Sequence, residues 1–200
     1  VTEAGAALAV EVSAVYWFQS FKQREKCMKH DLITKAQGYA GAAHGAVGQV
    51  RKYTGSPYIT HPAAVAHLVG QVTDDPRVIA AAWLHDTLED TRVSYDDLVW
   101  DFGLYVADLV RQVTDVSVLS DGNRKARKAL DRAHLAKASP QAMTIKLADI
   151  IDNTHDIADC DPVFSGVYMR EKRDQLAVLG AGSDKLLAKA RLIVDGYYAG

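Results

Sequence analysis

The stretch PRVIAAAWLHDTLED, Pro76–Asp90, joins two segments that make poor neighbours. Asp75 and Pro76 form an ordinary helix start, a capping side chain followed by a proline in the first turn. Val78 to Trp83 are all apolar, so the helix they build is a buried one. Within the next seven residues come His85, Asp86, Glu89 and Asp90. Burying such groups without partners is costly. Either the chain bends out into water here, or a cation compensates the charge. On a continuing helix His85 and Glu89 share a face, as do Asp86 and Asp90. Adjacent His85 and Asp86 project about a third of a turn apart but can still converge on one ion at a helix end. Imidazole with carboxylate suits Mn²⁺, Fe²⁺ or Mg²⁺ better than a thiolate site would. A His-Asp pair taken alone reads more simply as a solvated acidic helix end.

Working outward, helical signals dominate. Leu32, Ala36, Ala40, Ala43 and Val47 recur at helical spacing before Gly48. Arg51–Pro62 carries a glycine and two prolines and is predicted to be a loop, with Pro62 opening a helix. Ser94 and Asp97 have the spacing of a capping box. Gly103 breaks that helix, and Val106, Leu109, Val110 and Val113 stripe the next. Pro140 opens another, Pro162 interrupts the chain again, and Ser183 and Asp184 are expected to cap the last of two closing helices. Few segments alternate like strands. The prediction is one all-α domain.

The chain has 200 residues, enough to bury a real core in a single domain. Its net charge of −2 argues against wholesale attraction to nucleic acid or an anionic membrane, so an anionic ligand needs a local basic cluster. Cys27 and Cys160 stand alone, which removes zinc-ribbon and disulfide readings and points to a reducing, cytoplasmic setting. No apolar run reaches the roughly 18 residues of a membrane span. The apolar N-terminus lacks a basic start and is interrupted by Glu11, unlike a signal peptide. Residues 1–27, ahead of Met28, are expected to be an appended extension or an extra helix, and 28–200 the domain.

Two further polar residues stand in constrained places. His61 lies in ITHP, a proline-bounded loop. Asp149 lies in KLADIIDN among Leu147, Ala148, Ile150 and Ile151, in the middle of an apolar helical pattern. An Asp there is paired or liganded. A buried salt bridge to Lys or Arg is the alternative to a metal.

YITHPAAVAHLV, AAAWLHDTLEDT, FGLYVADLVRQVTD and IKLADIIDN, in this order, resemble the hydrolase domain of the RelA/SpoT homologues, HD-superfamily enzymes that remove the 3′-pyrophosphate of (p)ppGpp. The resemblance runs from about Ala40 to Asn153 and implies an HD-domain helical bundle. No synthetase domain follows within the 200 residues, so the stand-alone small alarmone hydrolases are the expected kin. By position the resemblance implies that His61, His85, Asp86 and Asp149 hold one Mn²⁺ ion. Glu89 and Asp90 would serve the attacking water, and Arg51, Lys52 and Asn153 would contact the nucleotide. Glu89 can move a proton at that water and Asp90 can orient it. Tyr58 either offers a ring to a purine or packs against the loop. Arg124, Lys125, Arg127 and Lys128, the densest basic run, either fold over the phosphates or form a solvated helix face.

The sequence departs from better-known members after Asp149. Ile150 stands where they have a basic residue, and Asp152 where they have a hydrophobic or aromatic one. Guanine contacts and substrate choice are therefore open. A first alternative keeps the enzyme and changes the nucleotide to (p)ppApp or to NADPH losing its 2′-phosphate. A second is a non-catalytic alarmone-binding or antitoxin protein, for which a damaged metal site is expected. Homo-oligomerisation and functional pairing with an alarmone synthetase are both compatible with the sequence.

Overall fold

The computed structural model describes residues 30–155 and 157–199, so the expectation for residues 1–27 lies outside the described residues. Helix α1 runs through residues 30–46, and α2 spans Thr60–Gly70, α3 Pro76–Leu84, α4 Thr87–Asp90, α5 Tyr95–Phe102 and α6 Leu104–Val113. After a 3₁₀ turn at Leu119–Asp121 come α7 Arg124–Leu135, α8 Pro140–Thr154, α9 Ile157–Cys160, α10 Pro162–Leu176 and α11 Asp184–Gly196. Among the described residues there is no strand, only an isolated bridge between Val50 and Pro57. The all-α expectation holds. No described helix is long and apolar enough to cross a membrane.

Local chemistry sets the helix starts. Asp75, Asn123, Ser139 and Asp161 each accept a backbone N–H of the helix they cap, and Ser94 and Asp97 close the predicted capping box on α5. Ser183 precedes α11 without a side-chain cap; its N–H instead donates to Thr144 Oγ1 of α8 at 3.0 Å. Gly48, with φ of 65°, ends the turn after α1 in a conformation that other residues resist. Val47 is exposed in that turn, and His44 takes its place on the buried stripe with Ala36 and Ala40. The periodic apolar set counted through Val47 therefore ended one turn too late.

Helix α8 is the axis of the molecule. It packs against α2, α3, α6 and α11, and every residue from Ala142 to Ile151 is buried. A helix apolar on all sides belongs in a core. Its two buried charged residues, Lys146 and Asp149, face each other one turn apart. Thus α8 carries a carboxylate to the centre, where the start of α2 and the end of α3 meet it.

Candidate functional site

The buried helix α3 does not continue through HDTLED. It stops at Leu84, His85 and Asp86 form a turn, and α4 begins at Thr87. Side chains make that stop. The His85 ring donates from Nδ1 to the Ala82 carbonyl at 2.9 Å, and Thr87 Oγ1 donates to the Leu84 carbonyl at 2.7 Å. Both occupy carbonyls that a helix end leaves unpaired. Neighbouring side chains that a continuous helix would splay by about 100° can then point at one spot.

That spot collects four groups. His61 Nε2, on the first turn of α2, lies 3.2 Å from His85 Nε2 and 3.4 Å from Asp86 Oδ2. His85 Nε2 is 3.1 Å from Asp86 Oδ2. Asp149 Oδ1 closes the group at 3.2 Å from His61 Nε2 and 3.9 Å from His85 Nε2. Both histidines are 1% exposed and Asp149 4%, so water does little to screen them.

The donor set fits a divalent cation. His85 Nδ1 faces a carbonyl and His61 Nδ1 faces the Asp152 carboxylate at 2.6 Å, so both Nδ1 atoms carry hydrogens. In neutral rings both Nε2 atoms then present lone pairs to each other and to two carboxylates. Such a cluster needs positive charge at its centre. Ligand atoms set at right angles about 2.1 Å from one ion lie about 3 Å apart, close to the separations found here. Within the protein alone, burial lowers the His61 pKa, but Asp149, Asp152 and Asp86 outweigh it and push the imidazole up to about 11. Burial likewise opposes charge on Asp86 and Asp149. For Asp86 the two histidines overcome it, and for Asp149 Lys146 and the histidines do, holding both carboxyls well below the usual range.

A second layer holds these groups. Tyr58 donates its hydroxyl to Asp86 Oδ2 at 2.6 Å, and its ring packs edge-on against His61. Tyr58, read as a purine-stacking ring, is therefore tied to the Asp86 carboxylate. Asn153 Nδ2 donates to Asp149 Oδ1 at 2.5 Å, while Lys146 Nζ sits 2.9 Å from Asp149 Oδ2. The salt-bridge alternative for Asp149 and its place in the cluster are thus both realised, one on each oxygen.

Glu89 and Asp90 lie on α4 at the rim. Glu89 is exposed by surface area, yet enough protein crowds its carboxyl that desolvation, opposed by Lys146 and aided by Asp115, pushes its pKa up to about 7. Its Oε1 accepts the Asp115 backbone N–H at 2.7 Å. Asp90 Oδ2 accepts from Gln49 Nε2 at 2.9 Å, and Gln49 Oε1 in turn accepts from His44 Nδ1 at 2.6 Å.

Beside the cluster opens a cleft of about 380 Å³, lined by Arg51, Lys52, Tyr58, Asn153, Phe164 and Tyr168 among others. Arg51 reaches Asn153 Oδ1 at 2.8 Å and Asp152 Oδ2 at 3.3 Å. Lys52 is turned to the outer edge, 3.4 Å from Asp161. Arg124 does not line this cleft. It makes a two-pronged ion pair with Glu171 of α10 and lies over the Phe164 ring. Lys128 bonds Asp115 and Asp131, and Arg127 caps the Gly122 carbonyl. Much of the basic run is therefore engaged by neighbouring carboxylates and carbonyls. Sequence reasoning passed over Lys146, Gln49 and the structural role of Asp152. The i,i+3 spacing of Lys146 and Asp149 in an apolar run was the signal available for the first.

Comparison with known proteins identifies the family to which this fold belongs. The HD domain family matches residues 36–181. The bifunctional (p)ppGpp synthase/hydrolase SpoT of Escherichia coli is 34% identical over 145 residues, covering 72% of this chain and 20% of SpoT. The probable chloroplastic GTP diphosphokinase RSH3 of Arabidopsis thaliana is 36% identical over 161 residues, 78% of this chain and 22% of RSH3. The chain spans about a fifth of the length of these long relatives. The guanosine-3′,5′-bis(diphosphate) 3′-pyrophosphohydrolase MESH1 of Xenopus tropicalis is 37% identical over 135 residues, covering 66% of this chain and 72% of MESH1. The solved structure of a metazoan orthologue of SpoT that hydrolyses ppGpp superposes with a TM-score of 0.73 at 30% identity, over 83% of this chain and 95% of that one. This protein belongs to the HD domain family and is homologous to the SpoT hydrolase domain and to MESH1.

Proposed function

We propose that this protein hydrolyses the 3′-pyrophosphate of (p)ppGpp, giving GDP or GTP and pyrophosphate, with one Mn²⁺ ion held by His61, His85, Asp86 and Asp149. The observation that carries this reading is the pair of Nε2 atoms 3.2 Å apart, each ring fixed through Nδ1, with two buried carboxylates around them. Relatives named as (p)ppGpp hydrolases, one matched over most of its length, supply the substrate class.

The ion, when bound, supplies Lewis-acid polarisation of a phosphoryl oxygen and acidifies water. The protein's own residues do the rest. Glu89, with a pKa near 7, accepts the proton of the attacking water as its oxygen bonds to the 3′-linked phosphorus and the bond to the ribose 3′-oxygen breaks. Asp90, held by Gln49, orients that water. The leaving ribose 3′-oxygen takes up a proton, returned from Glu89 through water, completing the nucleoside diphosphate or triphosphate. Arg51 and Lys52 bring positive charge to the cleft beside Asn153, and Phe164 and Tyr168 offer aromatic surface to a base. An undamaged set of four candidate ligands favours catalysis over a purely binding role.

The test is product analysis by anion-exchange chromatography. Metal-stripped protein is incubated with ppGpp, pppGpp, ppApp and NADPH, with and without Mn²⁺, beside Asp86→Ala. The expected result is Mn²⁺-dependent release of pyrophosphate from ppGpp or pppGpp, lost in the variant. Phosphate from NADPH alone, or no turnover of any substrate with the ion bound, contradicts the assignment.

A further inference from the structure

Asp152 stands one position before Asn153 and three after Asp149, so all three fall on one side of α8. Its Oδ2 accepts from His61 Nδ1 at 2.6 Å and lies 3.3 Å from an Arg51 guanidinium nitrogen. The other arm of Arg51 donates to Asn153 Oδ1 at 2.8 Å, and Asn153 donates to Asp149 Oδ1 at 2.5 Å. His61 and Asp149, whose ligand atoms are 3.2 Å apart, are therefore joined a second time around the back, through Asp152, Arg51 and Asn153.

We propose that Asp152 is a positioning residue of the metal centre and that Arg51 closes it into a ring, coupling occupation of the cleft to occupation of the metal site. The proposal rests on the divalent-ion reading above. Asp152 does three things in this geometry. It fixes the proton of His61 on Nδ1, so that Nε2 is the free donor atom. It holds the plane of the ring. It makes the imidazole more electron-rich, as carboxylates behind metal-bound histidines do, and loss of such a partner typically weakens metal binding by about 10–100-fold. Arg51 neutralises Asp152 and keeps its carboxylate turned toward the ring nitrogen. The same guanidinium lines the cleft, so an anion that engages it there acts on both Asp152 and Asn153. Such coupling is reciprocal: what a bound anion does to ion affinity, the ion does to anion affinity.

The test needs no nucleotide. Mn²⁺ is titrated by calorimetry into the chelator-stripped full chain as wild type, Asp152→Asn, Asp152→Leu, Arg51→Met and, as a control far from the ring, Asp108→Asn. Circular dichroism checks each fold, and the electron paramagnetic resonance line shape of bound Mn²⁺ reports ligand geometry. The expected result is about 10–100-fold weaker binding in Asp152→Leu, with a smaller loss in Asp152→Asn and Arg51→Met. The expected line shape is altered in the Asp152 variants and unchanged in Asp108→Asn. Folded Asp152 variants that bind within twofold of wild type with the same line shape overturn the proposal while leaving the metal site standing. If Asp152→Leu does not fold, Asp152→Asn decides alone. A wild type that binds no Mn²⁺ overturns the ion reading and this inference with it.

Discussion

Glu89 is the side chain whose environment bears most directly on chemistry. A carboxyl with a pKa near 7 is half ionised at neutral pH, where a general base works best. As a base it must be deprotonated, so kcat/KM should rise with pH through about 7 and then level. Glu89→Gln should lose about 10²–10⁴ in kcat and lose that inflection as well; an inflection that survives the substitution assigns it to another group. The same shift has a stability consequence of defined sign. The folded state holds this proton more tightly than the unfolded chain, so the contribution favours folding at low pH and is lost as pH rises from the ordinary glutamate range to about 7. His85, Asp86 and Asp149 stood out in the sequence because each sits where a polar residue is penalised, at the end of a buried helix or in the middle of an apolar one; their convergence with His61 was legible only through the resemblance to the RelA/SpoT hydrolase domain. The partners of Tyr58 and Asp152 were not legible. Their hydrogen bonds span 28 and 91 positions, and no local pattern announces them.

Among the elements, α8 and the α3–α4 junction decide the site. The sequence announced an apolar helix before His85 but gave no breaker such as Gly or Pro between Leu84 and Thr87. Two side chains turned back on the Ala82 and Leu84 carbonyls, each three positions earlier, make the break, and neither is a residue type that breaks a helix by itself. Helix α8 read correctly from its start at Pro140 and its apolar run. Its packing against the turn before α11 was invisible in the sequence. A Cβ on Gly182 would lie 2.8 Å from Leu147 Cδ1 and 3.2 Å from the Met143 backbone carbon. Gly182→Ala should therefore destabilise by about 1–3 kcal/mol, seen as a melting temperature lowered by a few degrees. Because Met143 and Leu147 belong to the helix that carries Asp149, kcat should fall too. An unchanged melting temperature shows that the turn yields instead.

At the scale of the molecule, a core built from neighbouring helices converges on a pair of buried carboxylates and a pair of buried imidazoles. That arrangement makes stability depend on the ion. Binding to the folded state alone stabilises by about 2.7 kcal/mol at a hundred times Kd, which for a chain of this size raises the melting temperature by roughly 5–11 °C. Chelator should reverse the shift, and Asp149→Ala should abolish it; equal melting with and without Mn²⁺ at saturating concentration contradicts the claim. The all-α class was legible from periodicity and caps. The ion pair that Arg124 of α7 makes with Glu171 of α10 was not, since the two residues lie 47 positions apart. The most direct measurement of the central claim is anomalous diffraction at the manganese edge from crystals of this protein soaked in Mn²⁺. The account predicts one strong peak roughly 2.0–2.3 Å from His61 Nε2, His85 Nε2 and an oxygen each of Asp86 and Asp149. A peak bound elsewhere, or no peak at these four residues, contradicts it.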